Sequence, residues 1–354
     1  MGCFSPIIWD MSHLVFIAMS GGVDSSVSAH LLKKAGYRVA GIHLQLYPQS
    51  EEAAEKAAFE LEHTCQLLNI PLHLLNLETD FSERVIEPFC REYENGHTPN
   101  PCVQCNRNIK FGLLLERVRA LGGDYLATGH YARTEKSADL FLLKKGLDST
   151  KDQSYFLHVL GQRELACVLF PVGGMLKSEV KKIAAGLGLS AAEKRESQDI
   201  CFVPDNDSRA FLAGHVTPRP GEIMDIEGRV LGQHKGLVFY TIGQRQGMGI
   251  AAAQPLYVLK MEIATNRLIV GFKSQLYSDR LTAGCVNWVS GLSLENGAEV
   301  TARVRYRAKE AKATLQINRD KVHVRFAEPQ WAITPGQSVV FYQGEIVLGG
   351  GLIE

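Results

Sequence analysis

The sequence predicts an α/β protein: a doubly wound parallel sheet at the N-terminus, then a small mixed domain, then a C-terminal antiparallel β-barrel. Three observations predict it. In the first half, short apolar runs alternate with amphipathic stretches, the pattern of a parallel sheet with helices on both faces. Residues 206–280 are rich in Gly and Pro. From 281 onward the chain breaks into short alternating runs punctuated by Gly and Pro, as antiparallel barrels do.

The strands of the first domain are expected over 14–19, 39–44, 72–77 and 125–128, each too short and too rich in β-formers for a helix. A helix over 26–34 stops at Gly36, and Ala53, Ala57, Leu61, Cys65 and Leu68 set an apolar stripe on the next. A third helix is expected over 106–121. After Tyr131 come a hairpin and further helices, including 177–187, with a boundary near 205. The middle domain, 206–280, carries turn signals at Pro218-Arg219-Pro220-Gly221 and Glu227-Gly228. In the last domain, 281–354, strands are expected over 299–307, 322–326 and 338–342.

A length of 354 residues suits two or three domains of about 100–200 residues each. Basic and acidic residues balance at 38 each, so a nucleic-acid partner must be held by a local patch. No apolar run reaches the roughly 18 residues of a membrane span. Residues 1–10 carry no basic side chain to flank a targeting signal, and Pro6 stands where a myristoylation start wants Ser or Thr. A cytoplasmic setting is therefore expected. In that setting the eight cysteines read as thiols. Cys3, Cys65, Cys90, Cys167 and Cys285 read as small buried hydrophobes, which leaves Cys102, Cys105 and Cys201 for chemistry.

The segment Ser20-Gly21-Gly22-Val23-Asp24-Ser25 lies between the first strand and the first helix. Its glycines let the backbone bend tightly and bring N–H groups against a phosphate, and the helix N-terminus adds its positive end. No lysine follows the glycines, so the loop is not a Walker A loop, and γ-phosphoryl transfer is disfavoured. The expected chemistry is cleavage of ATP to AMP and pyrophosphate, with Asp24 orienting the loop or a magnesium ion.

Together with Thr98-Pro99-Asn100-Pro101-Cys102-Val103-Gln104-Cys105-Asn106, this loop resembles that of the tRNA-specific 2-thiouridylases, the MnmA/TrmU family. The resemblance continues through 127–133, 151–157, Ser197-Gln198-Asp199-Ile200-Cys201-Phe202, His234-Lys235-Gly236, 240–245, Thr334-Pro335-Gly336-Gln337 and Gly349-Gly350-Gly351. It implies a fold of the PP-loop ATP pyrophosphatase type. It also implies ATP and Mg2+ as cofactors, and a reaction in which the C2 carbonyl of the wobble uridine is adenylated and sulfur then displaces AMP. ATP contact is implied for Ala18, Met19, Ser20, Gly21, Gly22, Val23, Asp24, Ser25, Leu44 and Gly129. Cys105 falls on the family's nucleophile and Cys201 on its persulfide carrier, with a transient disulfide between them. Asn100, Pro101 and Cys102 would receive the target base, and Lys151, Asp152, Gln153, Arg305 and Tyr306 would touch tRNA. The expected partners are tRNAs for Lys, Glu and Gln and a sulfur donor such as a cysteine desulfurase or relay protein.

Three readings of the residues stand beside this. Cys105 precedes the expected third helix, with Arg107 and Lys110 nearby, so its thiolate is favoured. Many relatives carry Asp where Cys102 stands, and Cys102, Cys105 and Cys201 could instead offer three thiolates to a [4Fe-4S] cluster. Arg303, Arg305, Arg307 and Lys309 alternate, so a strand would place them on one basic face with Tyr306 opposite. Alternatives remain open: another PP-loop tRNA thiolase or AMP-forming synthetase, or a non-catalytic RNA-binding or iron-sulfur-carrying protein.

Overall fold

The computed structural model describes residues 13–48, 50–189 and 200–354. Cys3 and Ser197-Gln198-Asp199 lie outside the described residues. The chain divides into two compact units. One runs to Arg84 and resumes at Cys105 through 189, with Glu345–Val347; the other holds Val85–Gln104, 200–344 and Leu348–Glu354.

In the first unit, elements numbered in chain order are β1 (Leu14–Ala18), α1 (Val23–Lys34), β2 (Arg38–Gln45), α2 (Glu51–Leu67), β3 (Leu72–Asn76) and α3 (Glu78–Phe81). Numbers α4 and α5 fall in the second unit. The first unit continues with α6 (Leu114–Ala120), β4 (Tyr125–Ala127), the hairpin β5 (Ala132–Ser137) and β6 (Leu140–Lys145), α7 (Gln162–Leu165), β7 (Val168–Leu169) and α8 (Lys177–Gly186). The parallel sheet has the order β3-β2-β1-β4-β7. Alternation along β1 sends Val15 and Ile17 into a core with Ala29 and Leu32 of α1 and Leu61 and Cys65 of α2. Phe16 points to the other face, where its ring and Val118 of α6 would both crowd a side chain at Gly123. Helices thus cover both faces, and strand order reverses at β1, where β2 lies on one side and β4 on the other.

The expected third helix is not one α-helix. Cys105–Leu113 is a π-helix, and α-helical winding resumes only with α6. Gly112 fits this winding, since a Cβ there would lie 2.9 Å from the Arg107 carbonyl oxygen one π-turn earlier.

The second unit begins with α4 (Glu87–Glu94) and α5 (Pro101–Gln104), followed by α9 (Ser208–His215). A mixed sheet comprises β8 (Gly221–Asp225), β9 (Val230–His234), β10 (Tyr257–Glu262) and β11 (Arg267–Gly271) in the order β10-β11-β8-β9. Its strands β8 and β11 run parallel and the other neighbours antiparallel. The barrel strands are β12 (Tyr277–Trp288), β13 (Glu299–Arg303), β14 (Ala311–Asn318), β15 (Lys321–Trp331), β16 (Ser338–Gln343) and β17 (Ile346–Ile353). Their order β12-β15-β14-β13-β16-β17 closes through pairing of β12 with β17. Leu281, Leu315, Val324, Phe326 and Phe341 fill the interior.

Two expectations fail here. Strand β13 stops at Arg303, and 304–308 form a bend and turn, so the alternating basic residues do not share a strand face. Alternating charge mimics period two whether or not a ladder partner exists, and β13 pairs only over Glu299–Arg303. Cys65, Cys90 and Cys167 are buried as expected, but Cys285 is exposed at φ 49°, within the register shift between Gly284 and Asn287.

Candidate active site

The nucleotide loop forms at the C-terminal end of β1 as expected. Gly21 takes φ +72°, a conformation open to glycine at little cost, and Gly22 caps α1 without a side-chain hydrogen bond. The first turn of α1 therefore has no side chain capping its amides, the arrangement by which a helix N-terminus can hold an anion. Serines brace the turn from within: Ser25 Oγ donates to Gly22 O at 3.0 Å, Ser26 Oγ to the same oxygen at 3.1 Å, and Ser28 Oγ to Asp24 O at 2.7 Å. Met19 N donates to Ile42 O at 2.8 Å, and the His43 ring bonds Met19 O at 2.8 Å, which sets Leu44 at the end of the neighbouring strand. Gly129 follows β4. A Cβ on it would lie 2.9 Å from the Asp24 carbonyl carbon, Asp24 Cβ and Ser25 N, so only glycine allows this close approach. The structure thus brings Ala18, Met19, Ser20, Gly21, Gly22, Val23, Asp24, Ser25, Leu44 and Gly129 to the sheet's switch point, where open α/β sheets hold ligands.

Sequence reasoning missed two residues here. Lys177 Nζ donates to both carboxylate oxygens of Asp24, at 2.7 and 2.8 Å, and the Tyr131 hydroxyl donates to Asp24 Oδ1 at 2.8 Å. The lysine absent from the loop is supplied from 153 residues away, at the first position of α8. A legible signal existed, since a cation at a helix N-terminus opposes the helix dipole and calls for an anionic partner.

Behind Asp24, the loop expected to touch tRNA is held by its own side chains. Asp152 is 4% exposed and accepts from Gly146 N at 3.0 Å, Ser154 N at 3.1 Å and Ser154 Oγ at 3.1 Å. Gln153 Oε1 accepts from Tyr131 N at 2.9 Å. Lys151 remains partly exposed.

Cys105 is buried and opens the π-helix directly after α5, so it does not stand at the start of an α-helix as expected. The next residue, Asn106, is buried too and donates from Nδ2 to Phe156 O at 3.1 Å. Nearby in this unit the His130 ring bonds Thr128 Oγ1 at 2.7 Å, and burial, with Lys110 adding to it, holds its pKa well below the usual 6.5.

In the second unit Asn100 Oδ1 accepts from Cys102 N at 3.1 Å and Val103 N at 3.4 Å, the work of an N-cap, with Pro101 following at the first helical position. Cys102 is exposed and Pro101 buried. The chain before them is clamped. Thr98 N donates to Pro335 O at 2.9 Å, Gln337 Nε2 to Thr98 O at 2.7 Å, and Thr98 Oγ1 meets Thr241 Oγ1 at 3.3 Å. Cys201 is exposed in a turn, while its neighbour Phe202 packs against Phe89 of α4 and Phe211 of α9, with ring centroids 5.4 and 5.2 Å apart. Cys105 belongs to the first unit, Cys102 and Cys201 to the second. Among the described residues no three His, Cys, Asp or Glu side chains converge where they could hold a metal ion.

Arg305 donates to the carbonyl oxygens of Trp331, at 3.0 Å, and Ala332, and lies over the Trp331 ring. Arg303 pairs with Glu310 at 2.9 Å and lies over Tyr342. Tyr306 is half-buried in the turn beside them.

Residues 13–205 match the family described as the tRNA methyl transferase HUP domain, 209–272 the tRNA methyl transferase PRC-barrel domain, and 278–353 the aminomethyltransferase beta-barrel domain. The chain is 46% identical to tRNA-specific 2-thiouridylase MnmA 1 of Caldanaerobacter subterraneus subsp. tengcongensis, across 98% of this chain and 99% of that one. It is 48% identical to tRNA-specific 2-thiouridylase MnmA of Geotalea uraniireducens, across 96% and 94%. For the MnmA of Moorella thermoacetica the identity is 47%, across 96% and 98%.

Proposed function

The chain belongs to the tRNA-specific 2-thiouridylase family, and we propose from that premise that its nucleotide loop adenylates the C2 carbonyl of the wobble uridine, position 34, in tRNA. It is an ATP-dependent tRNA sulfurtransferase, and its PP-loop family implies ATP and Mg2+. The observation that carries the reading is the loop at the end of β1, with uncapped first-turn amides and no Walker lysine.

In this reading uridine O2 attacks the α-phosphorus, the bond to the α,β-bridging oxygen breaks, and pyrophosphate leaves against the amides of α1. ATP lies along Ala18, Met19, Ser20, Gly21, Gly22, Val23, Asp24, Ser25, Leu44 and Gly129. Cys201 carries the incoming sulfur as a persulfide. The Cys105 thiolate attacks the persulfide at Cys201 Sγ, forms the Cys105–Cys201 disulfide and expels hydrosulfide, which adds to C2 and releases AMP together with the original oxygen. An external thiol then reduces the disulfide. Asn100, Pro101 and Cys102 receive a base turned out of its stack, since a stacked uridine cannot present C2. Lys151, Asp152, Gln153, Arg305 and Tyr306 serve tRNA binding. Asp152 and Arg305 do so by shaping their loops, because their polar atoms are engaged within the protein.

The proposed division of labour is catalysis in 1–205, a central domain in 206–280, and tRNA contact in the barrel, 281–354. The substrates are the tRNAs for Lys, Glu and Gln, the sulfur source is a cysteine desulfurase or a relay protein, and the setting is cytoplasmic. Among the described residues no helix is long and apolar enough to cross a membrane. The test is purified protein with ATP, Mg2+, a sulfide source and unmodified tRNA. Formation of 2-thiouridine at position 34 with AMP is expected; product at another nucleotide, or none, overturns the assignment.

A further inference from the structure

We propose that Tyr131 and Lys177 are positioning residues that couple nucleotide binding to tRNA binding, by tying the Asp24 carboxylate of the nucleotide loop to the loop 148–153. The inference rests on the reading above that this loop meets tRNA.

Each of the two residues holds Asp24 with its side chain and loop 148–153 with its backbone. The Tyr131 hydroxyl donates to Asp24 Oδ1 at 2.8 Å, while Tyr131 N donates to Gln153 Oε1 at 2.9 Å and Gln153 N donates to Tyr131 O at 2.8 Å. Lys177 Nζ donates to both Asp24 oxygens at 2.7 and 2.8 Å, while Lys177 N donates to Asp148 Oδ2 at 3.0 Å. The two connections are parallel and separate. Between them the loop is cross-braced: Asp148 Oδ1 accepts from Thr150 N at 3.0 Å and Thr150 Oγ1 at 2.7 Å, and Asp152 binds Gly146 and Ser154. Tyr131 is 3% exposed and Lys177 7%, so neither can swing aside into solvent. A buried ammonium at a helix start is tolerated only with an anionic partner, which fixes Lys177 to Asp24 and not to its own helix.

Asp24 sits in the first turn of α1, where an anionic pyrophosphate must alter its surroundings. Any change in how its carboxylate is held reaches both ends of loop 148–153 through directional bonds to buried groups. Conversely, tRNA on that loop fixes the backbone of Tyr131 and Lys177, and with it the donors on Asp24. Each ligand orders the same network, so the second to arrive has less left to order. Positive coupling follows, equal in both directions.

The experiment is calorimetric titration of the full chain with α,β-methylene-ATP and Mg2+, without and with saturating unmodified tRNA transcript, and the reverse titration. In the wild type each ligand should tighten the other about tenfold, within the usual range of about 5- to 150-fold. In Tyr131→Phe and in Lys177→Met that factor should fall towards one while each ligand alone still binds, and Lys177→Arg should keep part of it. Tyr131→Phe removes only a hydroxyl, so it decides the matter if Lys177→Met fails to fold. A wild-type factor of one, or a factor undiminished in the variants, overturns the coupling. Lys151→Glu separates the two failures. Unchanged tRNA affinity there overturns the reading of the loop as a tRNA contact, whereas weakened affinity with a wild-type factor of one overturns the coupling alone.

Discussion

Burial decides the protonation of two histidines, and through it the pH dependence of stability. Burial lowers the pKa of His130 well below 6.5, with Lys110 adding to it; burial also lowers that of His234, partly offset by its bond to the Asn266 carbonyl. Gly236 N donates to His234 Nδ1 at 3.1 Å, so Nε2 carries the proton and donates to Asn266 O. Above 6.5 both rings are neutral whether the chain is folded or not, and their contribution is fully present. Below 6.5 the unfolded chain binds protons that the folded chain refuses, so stability falls with pH, by at most about 1.4 kcal/mol per pH unit and histidine. Chemical denaturation at a series of pH values should show this fall, and His234→Gln should make it shallower; an unchanged slope would remove His234 as a cause. The cysteines make a separate prediction. Cys105→Ser and Cys201→Ser should each lose essentially all 2-thiouridine formation while still releasing pyrophosphate with tRNA present, because adenylation precedes sulfur transfer and AMP leaves only when sulfur adds. Loss of pyrophosphate release in both would place the thiols in the first step. The reactive residue types were readable from sequence, whereas the pairing of Asp24 with Lys177 joins residues 153 positions apart and only the folded chain reveals it.

At the scale of elements, the nucleotide loop works because β1, α1 and β4 approach more closely than side chains would allow. Gly129→Ala would press a methyl to 2.9 Å from Asp24 and Ser25 backbone atoms. Such overpacking costs about 1–3 kcal/mol. The loop would have to yield, so the KM for ATP should rise and the melting temperature fall, with tRNA affinity measured without nucleotide little changed. Equal ATP kinetics in the alanine variant would mean that the close approach does not shape the ATP subsite. This loop was legible because strand, glycines and helix are contiguous. Strands β1 to β4 were found nearly to the residue, and for β1, β2 and β4 the reason is related: buried parallel strands write continuous apolar runs. The π-helix was not legible. Its extra residue per turn leaves an amphipathic stripe close to that of an α-helix, and the structural reason for it, Gly112 against the Arg107 carbonyl, is a contact and not a pattern. The turn after β13 escaped for the opposite reason, since alternating arginines imitate a strand where no partner strand continues.

At the scale of the whole molecule, chain order and packing order differ. Residues 85–104 precede Cys105 in sequence, yet they pack within the second unit. Their partners there are specific: Phe89 meets Phe202 and Phe211, Thr98 is bonded by Pro335 and Gln337, and a Cβ at Gly336 would lie 2.9 Å from His97 Cβ. A sequence reading that cuts the chain near 205 assigns this segment to the catalytic domain, because alternating strands and helices run through it without a break. The packing makes a different demand. A fragment ending at 205 would keep Asn100, Pro101 and Cys102 but lack Phe211, Thr241, Pro335 and Gln337, the groups that hold their approach. Without those aromatic and backbone partners the segment has little to offset its ordering entropy, about 1–2 kcal/mol per residue. Limited proteolysis of the fragment should therefore cut within 85–104 much faster than in the full chain, while β1, α1 and β4 stay protected. Protection of 85–104 equal to that in the full chain would show that the segment folds without the second unit. In that event the blocks at 240–245 and 334–337 would need a different explanation from the bracing of the target-base segment.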